Sequence, residues 1–541
     1  MFLRVKRTQG YAYVQLVENR WQEGRSRQRV LATLGRLEQL QDSGSLEALL
    51  ESGSRLVEGL TVLSEHRRGE APVVRTHRIG APLVFGRLWE ESGCRRVIED
   101  LLAGRRFEFP VERAVFLEVL HRLVRPGSDR AGVDWRTDYR IPEAESLGLH
   151  HAYRAMAWLG EPVDPAEPGR TVKDLVEERL FARRRDLFTS LELVFFDTTS
   201  IYFEGQGGES LGQYGHSKDH RPDRRQMIVG VVLDQEGVPL CCELLPGNTT
   251  DVTRLLPVAE RLSERFGVGR VTLVADRGMI GKKTIEELET EGWGYILGAR
   301  MRSQREVRDE VLSRAGRYRE VGPRGPGGAA PLKVKDVQVD ERRYVVCLNE
   351  DQAAKDAADR AAILAALEDR LRQGAGSLIG NRGFRKYLKL TRGSVTVDAA
   401  KVAREARFDG KWVLRTNLDL PAADVAMAYK QLWMVEDVFR TMKSVLETRP
   451  VYHRRDETIR GHVFCSFLAL RLRTELEDRL AARGHSDLEW AEILRDLDRV
   501  EEIEIDKAGS RFLLRTETPR TAGKVFQAAG VALPPTVKRA A

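Results

Sequence analysis

The sequence predicts an α/β protein: a mixed five-stranded sheet with helices, interrupted by an inserted α+β domain and preceded by a helical domain. Three observations carry this reading. Short runs rich in Val, Ile and Phe recur between Leu191 and Leu297, and such runs bounded by turn residues read as strands. Stretches of helical periodicity separate the later runs. Ahead of residue 188 the pattern is mostly helical, and residues 300–410 suspend the strand–helix alternation before it resumes.

Taken in order, residues 1–40 read as a small β-hairpin. Tyr11–Trp21 alternates loosely, Gln22-Glu23-Gly24 turns, and Arg25–Leu34 returns. Residues 41–70 read as helix and then linker. From about 76 to 188 the pattern is helical, with Val111–Leu123 and Leu149–Leu159 as amphipathic stretches. Pro126-Gly127 and Pro162–Gly169 break it. The sheet follows. Leu191–Tyr202, Gln226–Leu233 and Val238–Leu245 are strands, the last two joined by the turn Asp234-Gln235-Glu236-Gly237. Thr250-Asp251 can cap a helix running to about Phe266. Val271–Ala275, a helix near Lys282–Glu291 and the strand Trp293–Leu297 complete the order β-β-β-α-β-α-β. That is the order of the ribonuclease H-like fold, in which a further helix comes next.

Here the further helix is delayed. The interruption holds a break at Gly322–Gly328, a hairpin (Leu332–Val339 with Arg342–Leu348) and a helix near Gln352–Arg372. A stretch this long, with elements of its own, reads as an inserted domain and not as a loop. Trp412–Arg415 rejoins the core, and a long helix over about Ala422–Leu446 follows. His462–Leu480 is apolar and helical. Residues 486–541 read as a helix, a hairpin over Glu502–Arg515 and a closing helix. The segments expected are 1–70, 71–187, a core of 188–299 with 411–480, the insertion 300–410, and 481–541.

Bulk properties narrow the setting. A chain of 541 residues suggests three or four domains, and 42% hydrophobic residues is enough for a sizeable core. Lys plus Arg is 88 against 81 for Asp plus Glu, giving +7. A pI near 9.1 suits a polyanionic partner. The five cysteines are an odd number and form no CxxC, which argues against a disulfide framework or a zinc site. Met1-Phe2-Leu3-Arg4 does not begin a signal-peptide apolar region, and no apolar run approaches the ~20 residues that span a bilayer. The expected setting is cytoplasmic, on nucleoid DNA, with no membrane contact.

Three acids carry the chemistry. Asp197 ends the apolar run Leu193–Phe196, Asp276 ends Val271–Ala275, and Glu436 lies in the long helix. Strand ends put carboxylates at the rim of a buried sheet, and a helix can bring the third one over. Clustered carboxylates repel unless a cation neutralises them, and oxygen-rich sites favour magnesium or manganese. On the helix, Tyr429, Leu432, Trp433, Glu436, Arg440 and Lys443 fall within a stripe of roughly 100°. Met434, Val435, Val438, Met442, Val445 and Leu446 fall on another side. Such a stripe suits a metal ligand flanked by groups that stack on bases and hold phosphates. Lys218, in the charged loop Lys218–Asp223, is a further phosphate-contact candidate, whereas His216 and His220 lack a third soft ligand.

Tyr429-Lys-Gln-Leu-Trp-Met-Val-Glu436-Asp-Val-Phe-Arg-Thr-Met-Lys443 resembles the Y-x2-R-x3-E-x6-K signature of DDE transposases of the insertion-sequence 4 superfamily. Leu432 stands where that pattern has arginine, a contact that Lys430 or Arg440 would have to supply. Asp197 in Phe-Phe-Asp-Thr-Thr-Ser and Asp276 in Val-Ala-Asp-Arg-Gly-Met resemble the family's two aspartates. Gly215-His-Ser-Lys-Asp-His-Arg-Pro-Asp223 and the N-terminal hairpin are similar to the insertion sequence 1634 branch. The resemblance implies Asp197, Asp276 and Glu436 as catalytic metal ligands, two Mg2+ ions with Mn2+ as a substitute, and Tyr429, Trp433, Arg440, Lys443 and Lys218 on DNA. Cut-and-paste chemistry is implied too: cleavage of element ends by two-metal phosphoryl transfer, then joining of the 3′-OH to target DNA. Two ends must be held together, so a homodimer on DNA is expected.

Plainer readings exist for each acid alone, since Asp often ends strands and a helix Glu is often only solvated. Order, spacing and helix face together point to catalysis. Other functions left open are a nuclease of the same fold without strand transfer, and a non-catalytic DNA-binding derivative. A carboxylate-pair glycosidase would need no Tyr/Lys stripe.

Overall fold

The computed structural model describes the chain except residues 9, 23–24, 71–72, 167–168, 185–192, 250–254, 267–270, 277–280, 322–330, 374–383, 385, 392–393, 508 and 541. The expected turn at Glu23-Gly24, the Thr250-Asp251 cap and the Gly322–Gly328 break therefore lie outside the described residues. Two compact units emerge: Met1–Leu83 with Asp138–Arg140 and Asp487–Ala541, and Val84–Thr137 with Ile141–Ser486. No described helix is long and apolar enough to cross a membrane.

In the first unit the expected N-terminal hairpin gains a third strand. Phe2–Thr8 pairs antiparallel with Tyr11–Gln22, which pairs with Arg25–Arg36. The extra strand is almost wholly exposed, so it has no buried face to advertise it in the sequence. A second sheet joins Val73–Arg78 to the C-terminal hairpin Glu501–Lys507 and Ser510–Arg515, with Val537–Arg539 beside it. Val62, Ile505, Phe512 and Leu514 form its core. Val73–Arg78 is thus a strand where linker and helix were expected.

The second unit begins with helices. Val111–Val124 was expected to be amphipathic, but every residue in it is buried. Its polar side chains are tolerated because they pair: Glu112 with Arg113, and Arg122 with both Glu118 and Asp129. This helix and Leu149–Gly160 pack on the long helix Asp456–Ala481. Glycine allows the last crossing, since a Cβ on Gly461 would collide with the Met156 carbonyl.

The sheet comprises strands β1 (Leu193–Tyr202), β2 (Gln226–Asp234), β3 (Pro239–Pro246), β4 (Thr272–Ala275) and β5 (Gly294–Gly298). Helices α1 (Leu255–Phe266) and α2 (Lys282–Thr290) lie between the later ones. Their spatial order is β3-β2-β1-β4-β5. β1, β4 and β5 run parallel, while β2 is antiparallel to β1 and β3. This is consistent with the ribonuclease H-like core that the element order predicted. On one face Val194, Phe196, Leu273 and Ala275 pack against Val258, Ile285 and Leu288 of the helices.

Four strands from the later sequence, β6 (Arg319–Val321), β7 (Leu332–Val339), β8 (Arg342–Leu348) and β9 (Lys411–Thr416), extend this sheet to nine. β8 pairs with β9 and β9 with β5. The hairpin of the interrupting segment therefore continues the core sheet. A separate two-stranded sheet, Leu388–Thr391 with Ser394–Val397, packs beside the helix Glu350–Gln373 around Leu367 and Tyr387.

The single long helix expected over Ala422–Leu446 is instead broken. It comprises α3 (Ala422–Lys430), α4 (Trp433–Arg440) and a π-helical turn, Thr441–Val445. Between α3 and α4 the bonds shorten to i+3: the Leu432 N–H donates to the Tyr429 carbonyl at 3.0 Å and the Val435 N–H to Leu432 at 3.1 Å. A tightened turn rotates about 120° per residue instead of 100°. The twist buries Leu432, at 6% exposure, which removes it from the polar stripe expected to include it.

Candidate active site

β1 and β4 bring the two aspartates side by side. Phe196 and Ala275 are the last register partners of this parallel pair. Asp197 and Asp276 are the next residues of their chains, on strands spaced about 4.8 Å apart. Side chains alternate along a strand. With Phe196 and Ala275 packed into the core on one face, the two carboxylates project from the opposite face. Asp197 Oδ1 accepts the N–H of Thr198 at 2.7 Å, and the Lys218 ammonium stands 3.9 Å away.

The broken helix covers this face. α3 packs on β4 and β5, and α4 on β1 and β2. From α3 the Tyr429 hydroxyl donates to Asp276 Oδ1 at 2.9 Å. Asp276, Tyr429, Trp433 and Glu436 share the wall of a cavity of about 820 Å³, whose far side comes from the interrupting segment and includes Arg302 and Lys386. Asp197 is not part of that wall and reaches the site as the neighbour of Asp276. Glu436 is exposed. Trp433 is 59% exposed, so its ring is presented to solvent and not packed on the sheet.

The remaining expected contacts divide. Lys218 turns inward, with its ammonium donating to the Thr198 carbonyl at 2.6 Å and to the Thr198 hydroxyl at 3.1 Å. Lys443 donates to Asp219 Oδ1 at 2.7 Å, and burial lowers its pKa. Arg440 is exposed and pairs with Asp437 at i+3, not with Glu436 at i+4. Sequence reasoning placed Asp219 in the charged loop without a positioning role and passed over Arg449; the two pair at 2.5 Å. The charged loop around Lys218 was the available signal for Asp219. Arg449 lies beyond the helical stripe and gave none.

Three carboxylates are hard oxygen donors, the set that suits Mg2+ or Mn2+. Among the described residues the three acids do not form a group with all ligand atoms within 4.8 Å of one another; Asp129, His453 and His462 do. That second cluster already holds a cation. The Arg122 guanidinium lies 2.9 Å from His462 Nδ1 and 3.4 Å from Asp129 Oδ1. The His453 Nε2 is 3.2 Å from Asp129 Oδ2. These atoms are satisfied without an ion.

Comparison with known proteins gives a family. The family model described as transposase DDE domain matches residues 189–472. That described as IS1634 family transposase, N-terminal domain, matches residues 3–61. No curated protein matches. Among solved structures, the chain is similar to a piggyBac transposase synaptic complex with hairpin DNA, at 12% identity and a TM-score of 0.41, covering 77% of this chain and 79% of that one. It is also similar to a Mos1 transposase paired-end complex with left transposon end, at 17% identity and a TM-score of 0.15, covering 35% and 60%.

Proposed function

The chain belongs to the DDE transposases, in the IS1634 branch, and we propose that it cleaves the ends of its insertion sequence and joins the freed 3′-OH to target DNA. One observation carries this reading. The two aspartates each follow the last register pair of two parallel strands, and the cavity that Asp276 lines also takes in Glu436. In this reading Asp197, Asp276 and Glu436 hold divalent metal, with Mg2+ as the favoured ion. When bound, such ions lower the pKa of a water or hold a 3′-hydroxyl, and they neutralise the leaving oxygen.

The chain's own groups do the positioning. Tyr429 fixes Asp276 through its hydroxyl. Lys218 sets a positive charge beside Asp197 and offsets part of the repulsion among the acids. Trp433 is free to stack on a splayed base at the mouth of the cavity. Lys443 and Arg440 supply charge for the phosphate backbone. The cavity wall from the interrupting segment closes the far side of the site. Joining requires two element ends held together, so the reading calls for two copies of the chain on DNA.

Asp197→Asn tests it directly. The variant should bind the DNA bordering the reading frame as the parent does and lose strand cleavage in Mg2+, because the amide keeps the shape and removes the charge. Cleavage at the parental rate would refute the assignment.

A further inference from the structure

We infer that Asp219 is a positioning residue that sets Lys443 and Arg449 side by side as a two-cation clamp on the DNA backbone. This rests on the transposase reading above and adds to it a residue with no charge to offer DNA itself. A single oxygen, Asp219 Oδ1, accepts from Lys443 Nζ at 2.7 Å and from Arg449 Nη1 at 2.5 Å. Two nitrogens sharing one acceptor at those distances are close enough to grip one phosphate together. The Asp219 side chain is 3% exposed, whereas those of Lys443 and Arg449 are 11% and 28% exposed. The acid is thus buried behind the pair, with the cations on the solvent side. Each cation keeps donors in reserve, since an ammonium has three N–H groups and a guanidinium five.

The loop carrying Asp219 is anchored to the catalytic strand. The Lys218 N–H donates to Ser200 Oγ at 2.8 Å, and Lys218 Nζ to the Thr198 carbonyl at 2.6 Å. Ser217 Oγ accepts the N–H groups of Asp219 at 3.3 Å and Arg221 at 3.1 Å. His220 takes a left-handed φ of 56° to make the turn, a conformation uncommon outside glycine. Arg221 is taken up by Asp223 at 3.0 Å. The same segment thus places Lys218 near Asp197 and Asp219 beneath the clamp. Asp219 Oδ2 is buried with no hydrogen-bond partner among the described residues, an arrangement a fold keeps only for a reason. Without the Asp219 charge, the two cations would repel and separate.

The test is a thermodynamic cycle on binding to the DNA bordering the reading frame, read by fluorescence anisotropy. Asp219→Asn and Lys443→Ala should each weaken binding by about tenfold. The double variant should also lose about tenfold and not a hundredfold, because the same clamp is removed once. Asp219→Glu should recover part of the loss. Should Asp219→Asn not fold, the cycle of Lys443→Ala with Arg449→Ala reads the same coupling. Additive losses, or tighter binding by Asp219→Asn, would overturn the clamp while leaving the transposase reading intact. A parent protein that neither binds nor cleaves these ends would sink that reading instead.

Discussion

At the scale of single residues, one hydroxyl decides how Asp276 is held. Tyr429 was expected on DNA, and its hydroxyl is bonded to a candidate metal ligand. A hydrogen bond to a charged group contributes about 1.5–3 kcal/mol. Tyr429→Phe should therefore slow single-turnover cleavage by about tenfold or more with end binding little changed. An unaltered rate would show that the bond does not position the carboxylate. Trp433 makes a different prediction. Stacking of a base on an aromatic ring is worth about 1–3 kcal/mol, so Trp433→Ala should weaken binding to frayed or single-stranded ends far more than to a fully paired duplex. Equal losses on both substrates would count against a stacking role. The placement of the two aspartates on neighbouring strands was legible because each ends an apolar run. The pairing of Asp219 with Arg449 was not, since it spans 230 positions of sequence and no local pattern announces it.

At the scale of elements, the strands of the core were read almost to the residue, because buried β-branched runs bounded by turns leave little choice. The breaks in the helix bearing Glu436 were missed. Nothing between Ala422 and Leu446 is a glycine or proline, so periodicity alone predicts one helix. The tightened turn at Leu432 is a tertiary effect, in which an apolar side chain at a nominally polar position is rotated into the core. The helix Val111–Val124 misled for the converse reason, since its charges look solvated and are instead paired with one another. Close crossing makes the prediction at this scale. Gly461→Ala drives a methyl into the Met156 backbone, and overpacking of this kind costs about 1–3 kcal/mol. The denaturant midpoint should fall with an unchanged slope. A midpoint equal to the parent's would mean that the two helices can move apart freely.

At the scale of the whole molecule, buried charge makes stability depend on pH. Burial lowers the pKa of His121 to about 4 and of His462 to about 3, while burial and the nearby Asp129 raise Glu118 to about 8. Both histidines stay neutral in the fold but take up protons on unfolding below their ordinary pKa of 6.5. Their contribution is present above 6.5 and lost as pH falls. Glu118 works the other way, losing stability as pH rises above 4.5. Between 6.5 and 4.5 the two histidines outweigh it, so the cluster's net effect is a loss of stability on acidification. Chemical denaturation at several pH values should show this slope in the parent, and His462→Gln should flatten it. An equally steep slope in that variant would remove His462 from the account.

The central claim, that Asp197, Asp276 and Glu436 act as one metal-dependent site, meets its most direct test in strand joining. Purified protein is incubated with Mg2+, a labelled duplex carrying the element end with a free 3′-OH, and an unlabelled target. The parent chain should yield joined product, and Asp197→Asn, Asp276→Asn and Glu436→Gln should each bind the end and yield none. Joining at the parental level by any one of the three would contradict the claim.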